Sequence, residues 1–287
     1  MVFTTPTFII FMAIVFVLYY AIPKKMQWPL LFFASYIFYA FASPIYLVFL
    51  IATTVVTYVG GILMGDNYSK QAAYFETAGK DLQKFEKLAY KKSIQKKQKT
   101  ILVLVIIIML LMLSIFKYST FLLSNFSGLF GVFGVNTSNF TLNIILPVGL
   151  SFYVFQSLGY CIDVYREMTA AEHSFLKYAL YVSFFPQLLQ GPIGDYNRLA
   201  PQLFTEHEFS YMNATYGLQR VAWGFFKKLV IANQISLIID SIWASYESYS
   251  GLVFWGFILF LYSFQLYADF SGYMDIALGC AQMLDIS

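Results

Sequence analysis

Charge is scarce in this chain. Only 11% of its 287 residues are Asp, Glu, Lys or Arg, against about 25% in soluble globular domains, so a freely soluble domain and a nucleic-acid-binding surface are both excluded. Histidine and cysteine occur twice each. Cys161 and Cys280 lie far apart in apolar segments, with no CxxC pair and no metal-ligand spacing, and read as small core residues. No bound metal or resident cofactor is therefore expected. His173 and His207 stand in polar stretches beside glutamates and read as exposed loop residues. The first residues lack a basic region and a small-residue cleavage site, so the opening segment reads as a retained membrane span.

What fills the space is apolar. Hydrophobic residues make up 59% of the chain and mean hydropathy is +0.66, the composition of an integral membrane protein. Aromatics reach 20%, with 31 Phe and 23 Tyr. Tyr and Trp favour the bilayer interface, but this many Phe must also line helix–helix contacts. The expected fold is all-α: a polytopic transmembrane helical bundle with re-entrant or broken helices. No internal repeat is visible, so residues 1–287 read as a single membrane domain.

Spans are expected at Val2–Ile22, Trp28–Ala42, Ile45–Met64, Ile101–Phe116 and Ile144–Ile162, with a polar stretch over 65–100 and a Gly-rich extracytoplasmic loop over 124–143. Nine lysines fall between Lys70 and Lys99, and Lys24 and Lys25 lie two spans earlier, on the same side. The turn at Ser43-Pro44, on the other side, has no basic residue. By the positive-inside rule the Lys-rich loop over 65–100 is cytoplasmic and the N-terminus is outside, in the cell membrane. Within that loop Lys80, Lys84, Lys87 and Lys91 recur at helical steps, opposite Leu82, Phe85 and Ala89. Two readings stay open: an amphipathic helix on the anionic inner leaflet, or a solvated connector that sets topology.

Tyr178–Leu189 is apolar but only twelve residues long. As a helix it would reach about 18 Å, against a hydrocarbon core of about 30 Å. It runs into Gln190-Gly191-Pro192, which predicts a half-helix or re-entrant segment covered by protein or water. Tyr216–Ile239 is interrupted by Lys227-Lys228. Adjacent lysines occupy different parts of a helix surface, so a helix entering from the cytoplasmic interface is expected there. Gly251–Ala268 and Phe270–Ile286 read as two further spans, with Asp269 at the break.

An ionised carboxylate in such a segment is costly unless paired or facing water. Asp269 and Gln265 are one helical turn apart, as are Ser271 and Asp275. Three roles are open for them: hydrogen-bonding across helices, lining a water-filled funnel beside Gly272, or capping helix starts near the positive end of the helix dipole. Capping is the favoured reading for Asp275. Gln187, Gln190, Gly191 and Pro192 read either as a re-entrant tip or as simple satisfaction of broken-helix backbone.

Three stretches in order, Leu146–Leu158 with Tyr160–Arg166, Tyr181–Ile193, and Tyr267–Ala277, make the sequence similar to the membrane-bound O-acyltransferase family. The resemblance extends along the whole chain and is strongest to the bacterial alginate O-acetylation branch, with D-alanyl transfer to teichoic acid as a cousin. It implies that an acyl donor, acetyl-CoA or an acyl carrier, is used from the cytoplasmic side. The acyl group, acetyl or similarly small, passes toward an extracellular polysaccharide, with a polysaccharide-modifying partner outside the membrane. The family's catalytic histidine lies downstream of the aspartate signature, so no catalytic residue is assigned and the chain is expected to be the N-terminal part of such a protein. A transporter, which also uses broken helices and intramembrane acids, and a non-catalytic fragment are the readings from other classes.

Overall fold

In the computed structural model residues 3–42, 44–77, 83–132, 149–188, 191–192 and 194–286 are described. Among them every regular element is helical: α1 (Pro6–Ala21), α2 (Gln27–Ala42), α3 (Leu47–Glu76), α4 (Lys84–Val132), α5 (Leu150–Tyr165), α6 (Phe175–Ser183), α7 (Phe185–Leu188), α8 (Tyr196–Phe204), α9 (Tyr211–Phe225), a π-helical segment (Phe226–Ala232), α10 (Asn233–Ala244) and α11 (Leu252–Met283). Among the described residues four helical runs are long and apolar enough to cross a membrane: Pro44–Glu76, Phe85–Tyr118, Tyr211–Ala244 and Leu252–Met283. α1 is apolar, but its 16 residues rise only about 24 Å. Lys80, Leu82, Ser43, Gln190 and the expected opening of the fifth span, 144–148, lie outside the described residues. The all-α, multi-pass architecture expected from composition is present.

The chain divides into two compact units, residues 43–182 with 195–197, and residues 1–42, 183–194 and 198–287. In the first, α3 and α4 form an antiparallel hairpin. Gln98 Nε2 donates to the Met64 carbonyl at 3.2 Å, and further along Tyr74 stacks on Tyr90 with centroids 4.6 Å apart. Much of the polar stretch over 65–100 is therefore helical. α3 runs on to Glu76, and α4 carries the lysines and the aliphatic span as one helix. Gln, Ala, Lys and Glu are good helix formers, so the helix need not stop where hydrophobicity does. A segment continuous with a spanning helix also cannot lie flat on the leaflet, which removes that reading.

α5 packs on α3 through buried polar contacts: the Cys161 thiol approaches the Thr57 carbonyl at 3.4 Å, and Tyr178 OH donates to Thr57 Oγ1 at 2.8 Å. Tyr160, Tyr178, Tyr181 and Tyr196 form a cluster with centroids 4.6–6.4 Å apart. Tyr196 OH donates to Glu172 Oε2 at 2.7 Å, and Gln156 Nε2 to the Tyr181 carbonyl at 2.8 Å. Both cysteines are free and buried, as expected.

In the second unit α1 and α2 hold α7 against an aromatic core. Phe11 and Phe38 meet Phe185 at 5.4 and 5.8 Å. Ser35 Oγ donates to the Leu31 carbonyl and accepts from the Phe185 amide at 3.1 Å. That amide opens α7 and has no partner within its own helix, so a buried serine supplies what the broken backbone needs. The short, interrupted segment expected over 178–189 is present: α6 ends at Ser183 and α7 has four residues.

In the same unit Tyr211–Ala244 is one continuous helical run with a π segment at the lysine pair. α11 is one 32-residue helix, and Asp269 marks no break.

Candidate functional site: a charged seam between two helices

α9 and α11 approach closely because both present glycines seven residues apart. A Cβ on Gly217 would lie 2.7 Å from the Gly279 carbonyl oxygen, and one on Gly224 would lie 2.6 Å from that of Gly272. Small residues let helix backbones meet in an apolar environment, where the hydrophobic effect gives no attraction between helices. Gly272 thus serves helix contact.

Directly beside that seam the π segment brings two successive lysines onto α11. A π turn inserts one residue into the helix and is frequent at functional sites. Lys228 Nζ contacts Asp269 Oδ1 and lies 4.8 Å from the centre of the Tyr273 ring. Lys227 Nζ contacts Asp275 Oδ2 and donates to Ser271 Oγ at 3.4 Å. Arg220 Nε donates to Asp275 Oδ1 at 3.1 Å. The side chains of Lys227, Lys228, Asp275 and Asp269 are 15%, 18%, 17% and 24% exposed. Three cations face two carboxylates, so the seam holds one surplus positive charge.

Of the roles open to Asp269, Ser271 and Asp275, bonding across helices is present and capping, favoured for Asp275, is not. Neither aspartate caps a helix start, since both lie inside α11. Gln265, one turn before Asp269, is half-buried. The missed partners were Arg220, Lys227 and Lys228. Their signal was present: an intramembrane acid implies a base, and two lysines interrupt the neighbouring apolar stretch.

The re-entrant residues gather separately, around α7. The Gly191 amide donates to the Gln187 carbonyl at 3.1 Å, closing α7. A Cβ on Gly191 would lie 2.4 Å from Gln187 Cα, so only glycine fits this turn. Among the described residues Gln187 Oε1 is buried with no hydrogen-bond partner. Pro192 follows, half-buried. Gln190 lies outside the described residues.

The histidines divide. His173 is exposed, as expected, at a cavity of about 380 Å³ in the other unit, lined also by Tyr68, Glu167 and Thr169. His207 is buried, which corrects the expectation of an exposed loop residue. Its Nδ1 lies 3.0 Å from Asp285 Oδ2, and its Nε2 lies 2.6 Å from the Gln202 carbonyl. Its backbone exchanges hydrogen bonds with the Gln27 amide group at 2.9 and 3.0 Å. A ring committed at both nitrogens is a clamp and is not free to accept a substrate proton.

Comparison with known proteins bears on the same helices. Residues 166–287 match the model of MBOAT, the membrane-bound O-acyltransferase family. Over those residues the chain is similar to the membrane-bound O-acyltransferase family. The match contains α6–α11, and with them the whole charged seam and the Gln187–Pro192 turn. The chain is 33% identical over 285 residues to the "Probable alginate O-acetylase AlgI" of Azotobacter vinelandii, covering 99% of this chain and 52% of that relative. It is likewise 33% identical over 285 residues to the protein of the same name in Pseudomonas syringae, with 99% and 50% covered. To the "Peptidoglycan O-acetyltransferase" of Helicobacter pylori it is 30% identical over 319 residues, with 100% and 54% covered. The chain spans about half the length of the curated relatives it matches.

Proposed function

We propose that this chain is the scaffold portion of a membrane O-acyltransferase that passes an acetyl or similar small acyl group toward an extracellular polysaccharide. The observation that carries this reading is the charged seam. The acids of the Tyr267–Ala277 signature are held by Arg220, Lys227 and Lys228 inside apolar helices, and all these residues fall within the family match. Two relatives named for O-acetylation of different polysaccharides support the reaction type. In such a transfer an acceptor hydroxyl attacks the donor's thioester carbonyl, a thiol leaves, and a base takes the hydroxyl proton. The ion pairs described here fix helix register and supply a local positive field, which favours the negative charge that develops on the carbonyl oxygen. No residue of this chain is assigned as the base.

The proposed donor is acetyl-CoA or an acyl carrier, taken as a substrate from the cytoplasm, with no resident cofactor. The Lys-rich hairpin of α3 and α4 faces that side and attracts an acidic donor. The N-terminus is outside, the location is the plasma membrane, and an extracytoplasmic partner completes delivery to the polysaccharide.

Acetyl transfer to cell-surface polysaccharide, measured in cells expressing the whole reading frame, tests the reaction. Loss of transfer in Lys228→Met and Asp275→Asn at unchanged protein level supports it; full transfer in both ends the claim that the seam matters. Orientation has its own test. The native cysteines are buried, so an impermeant maleimide reports introduced ones: Tyr249→Cys should label in intact cells and Lys91→Cys should not.

A further inference from the structure

The hairpin of α10 and α11 encloses a second feature, unrelated to the charged seam. A cavity of about 490 Å³ opens between these helices near Ala244 and Leu252, lined by Asp240, Trp243, Trp255, Ile258, Leu259 and Tyr262. Trp243 and Trp255 meet edge to face at 5.9 Å. Asp240 accepts from Ser236 Oγ at 3.3 Å and, among the described residues, has no cationic partner.

Three features there point to one ligand chemistry. The carboxylate sits near the C-terminal end of α10, where the helix dipole is negative and disfavours an acid but favours a cation. Aromatic faces attract cations, most strongly indole, and ring-plus-carboxylate pockets suit ammonium groups. The rest of the lining is apolar and continues onto exposed Leu237, Leu259 and Phe260 along the helices, a surface for acyl chains. Trp and Tyr at a span end are common at headgroup depth on their own. Asp240, exposed at the cavity, is the acid among its lining residues and stands beside both indoles.

We propose that this cavity is a lipid site that holds an ammonium headgroup against Asp240 and the Trp243–Trp255 pair, with the acyl chains lying along α10 and α11. The occupant is an amine-bearing phospholipid of the surrounding bilayer. The assignment stands apart from the acyltransferase reading, since it uses none of the seam residues.

The test is lipid selectivity. The membrane-extracted protein is placed in nanodiscs containing equal phosphatidylethanolamine and phosphatidylglycerol of identical chains, and retained lipid is counted by native mass spectrometry. Wild type should retain the ethanolamine lipid about fivefold or more over the glycerol lipid. Asp240→Asn and Trp243→Leu should abolish that preference, and Asp240→Glu should keep it. Equal retention of both lipids by wild type, or a preference unchanged in Asp240→Asn, overturns the site. Soluble ethanolamine displacing the lipid at millimolar concentration would overturn the role of the acyl chains.

Discussion

Gly224 of α9 and Gly272 of α11 face each other so closely that a Cβ on either would lie 2.6 or 2.9 Å from the other's carbonyl oxygen. Backbone, not a flexible side chain, stands in the way. Gly272→Ala must therefore push the helices apart, at a cost of about 1–3 kcal/mol. Thermal unfolding in detergent should show the loss, and Gly256→Ala, where the added methyl meets nothing within 4 Å, should not. Equal midpoints for both variants would refute the close seam.

Lys228 and Asp269 are each mostly shielded from water, so removing one strands the other. Lys228→Met or Asp269→Asn alone should cost about 3 kcal/mol, and the double variant much less than the sum. Asp275 has two partners, Lys227 and the more exposed Arg220. Asp275→Asn should thus destabilise more than Arg220→Gln, whose loss leaves the acid still paired. Additive single effects in a double-mutant cycle would remove the coupling.

Glu167 and Asp285 end α5 and α11 alike, at φ of 60° and 63°. In each case the residue and its successor donate back to the last turn, to Val164 and Asp163 or to Gln282 and Ala281, the arrangement that favours glycine. Glu167→Gly should stabilise by about 0.5–1 kcal/mol through relief of the left-handed backbone. Asp285→Gly should instead destabilise, because Asp285 accepts from His207 and, at 2.5 Å, from Asn213 Nδ2. Melts of the two variants should move in opposite directions; a shared sign would show that the side-chain contacts of Asp285 are worth nothing.

Lys24 Nζ donates to Glu208 Oε1 at 2.5 Å between the α1–α2 turn and the segment before α9. That hydrogen bond raises the Lys24 pKa and lowers that of Glu208. A depressed carboxylate stabilises above its unfolded pKa and loses that contribution as pH falls through its folded value. A raised lysine stabilises below its unfolded pKa and loses it as pH climbs through its folded value. The pair therefore acts between the carboxylate and lysine ranges. Both groups are exposed, so the effect is small. Any gap in melting temperature between wild type and Glu208→Gln should be present at pH 7, close below the carboxylate range, and shrink in high salt; a gap that persists at pH 3 would contradict this.

The sequence by itself determined the class of fold and singled out the acids of the seam. Periodic apolar runs cannot be hidden from a bilayer reading, and Asp269, Ser271 and Asp275 declared themselves because charge in such runs demands a reason. The short segment at Tyr178–Leu189 was legible from length alone. Where helices end was not, since Gln, Lys and Ala sustain a helix as well as Leu does; α3 and α4 outran their hydrophobic stretches for that reason. Partnership was decided only in three dimensions. Lys227 and Lys228 sit more than forty residues from their acids, and a π turn lies where the adjacent pair meets its neighbour. His207 is buried by the same kind of distant contact, with Asp285 and Gln27. Local pattern specifies helices, whereas the cost of an unpaired buried charge selects which helices must meet.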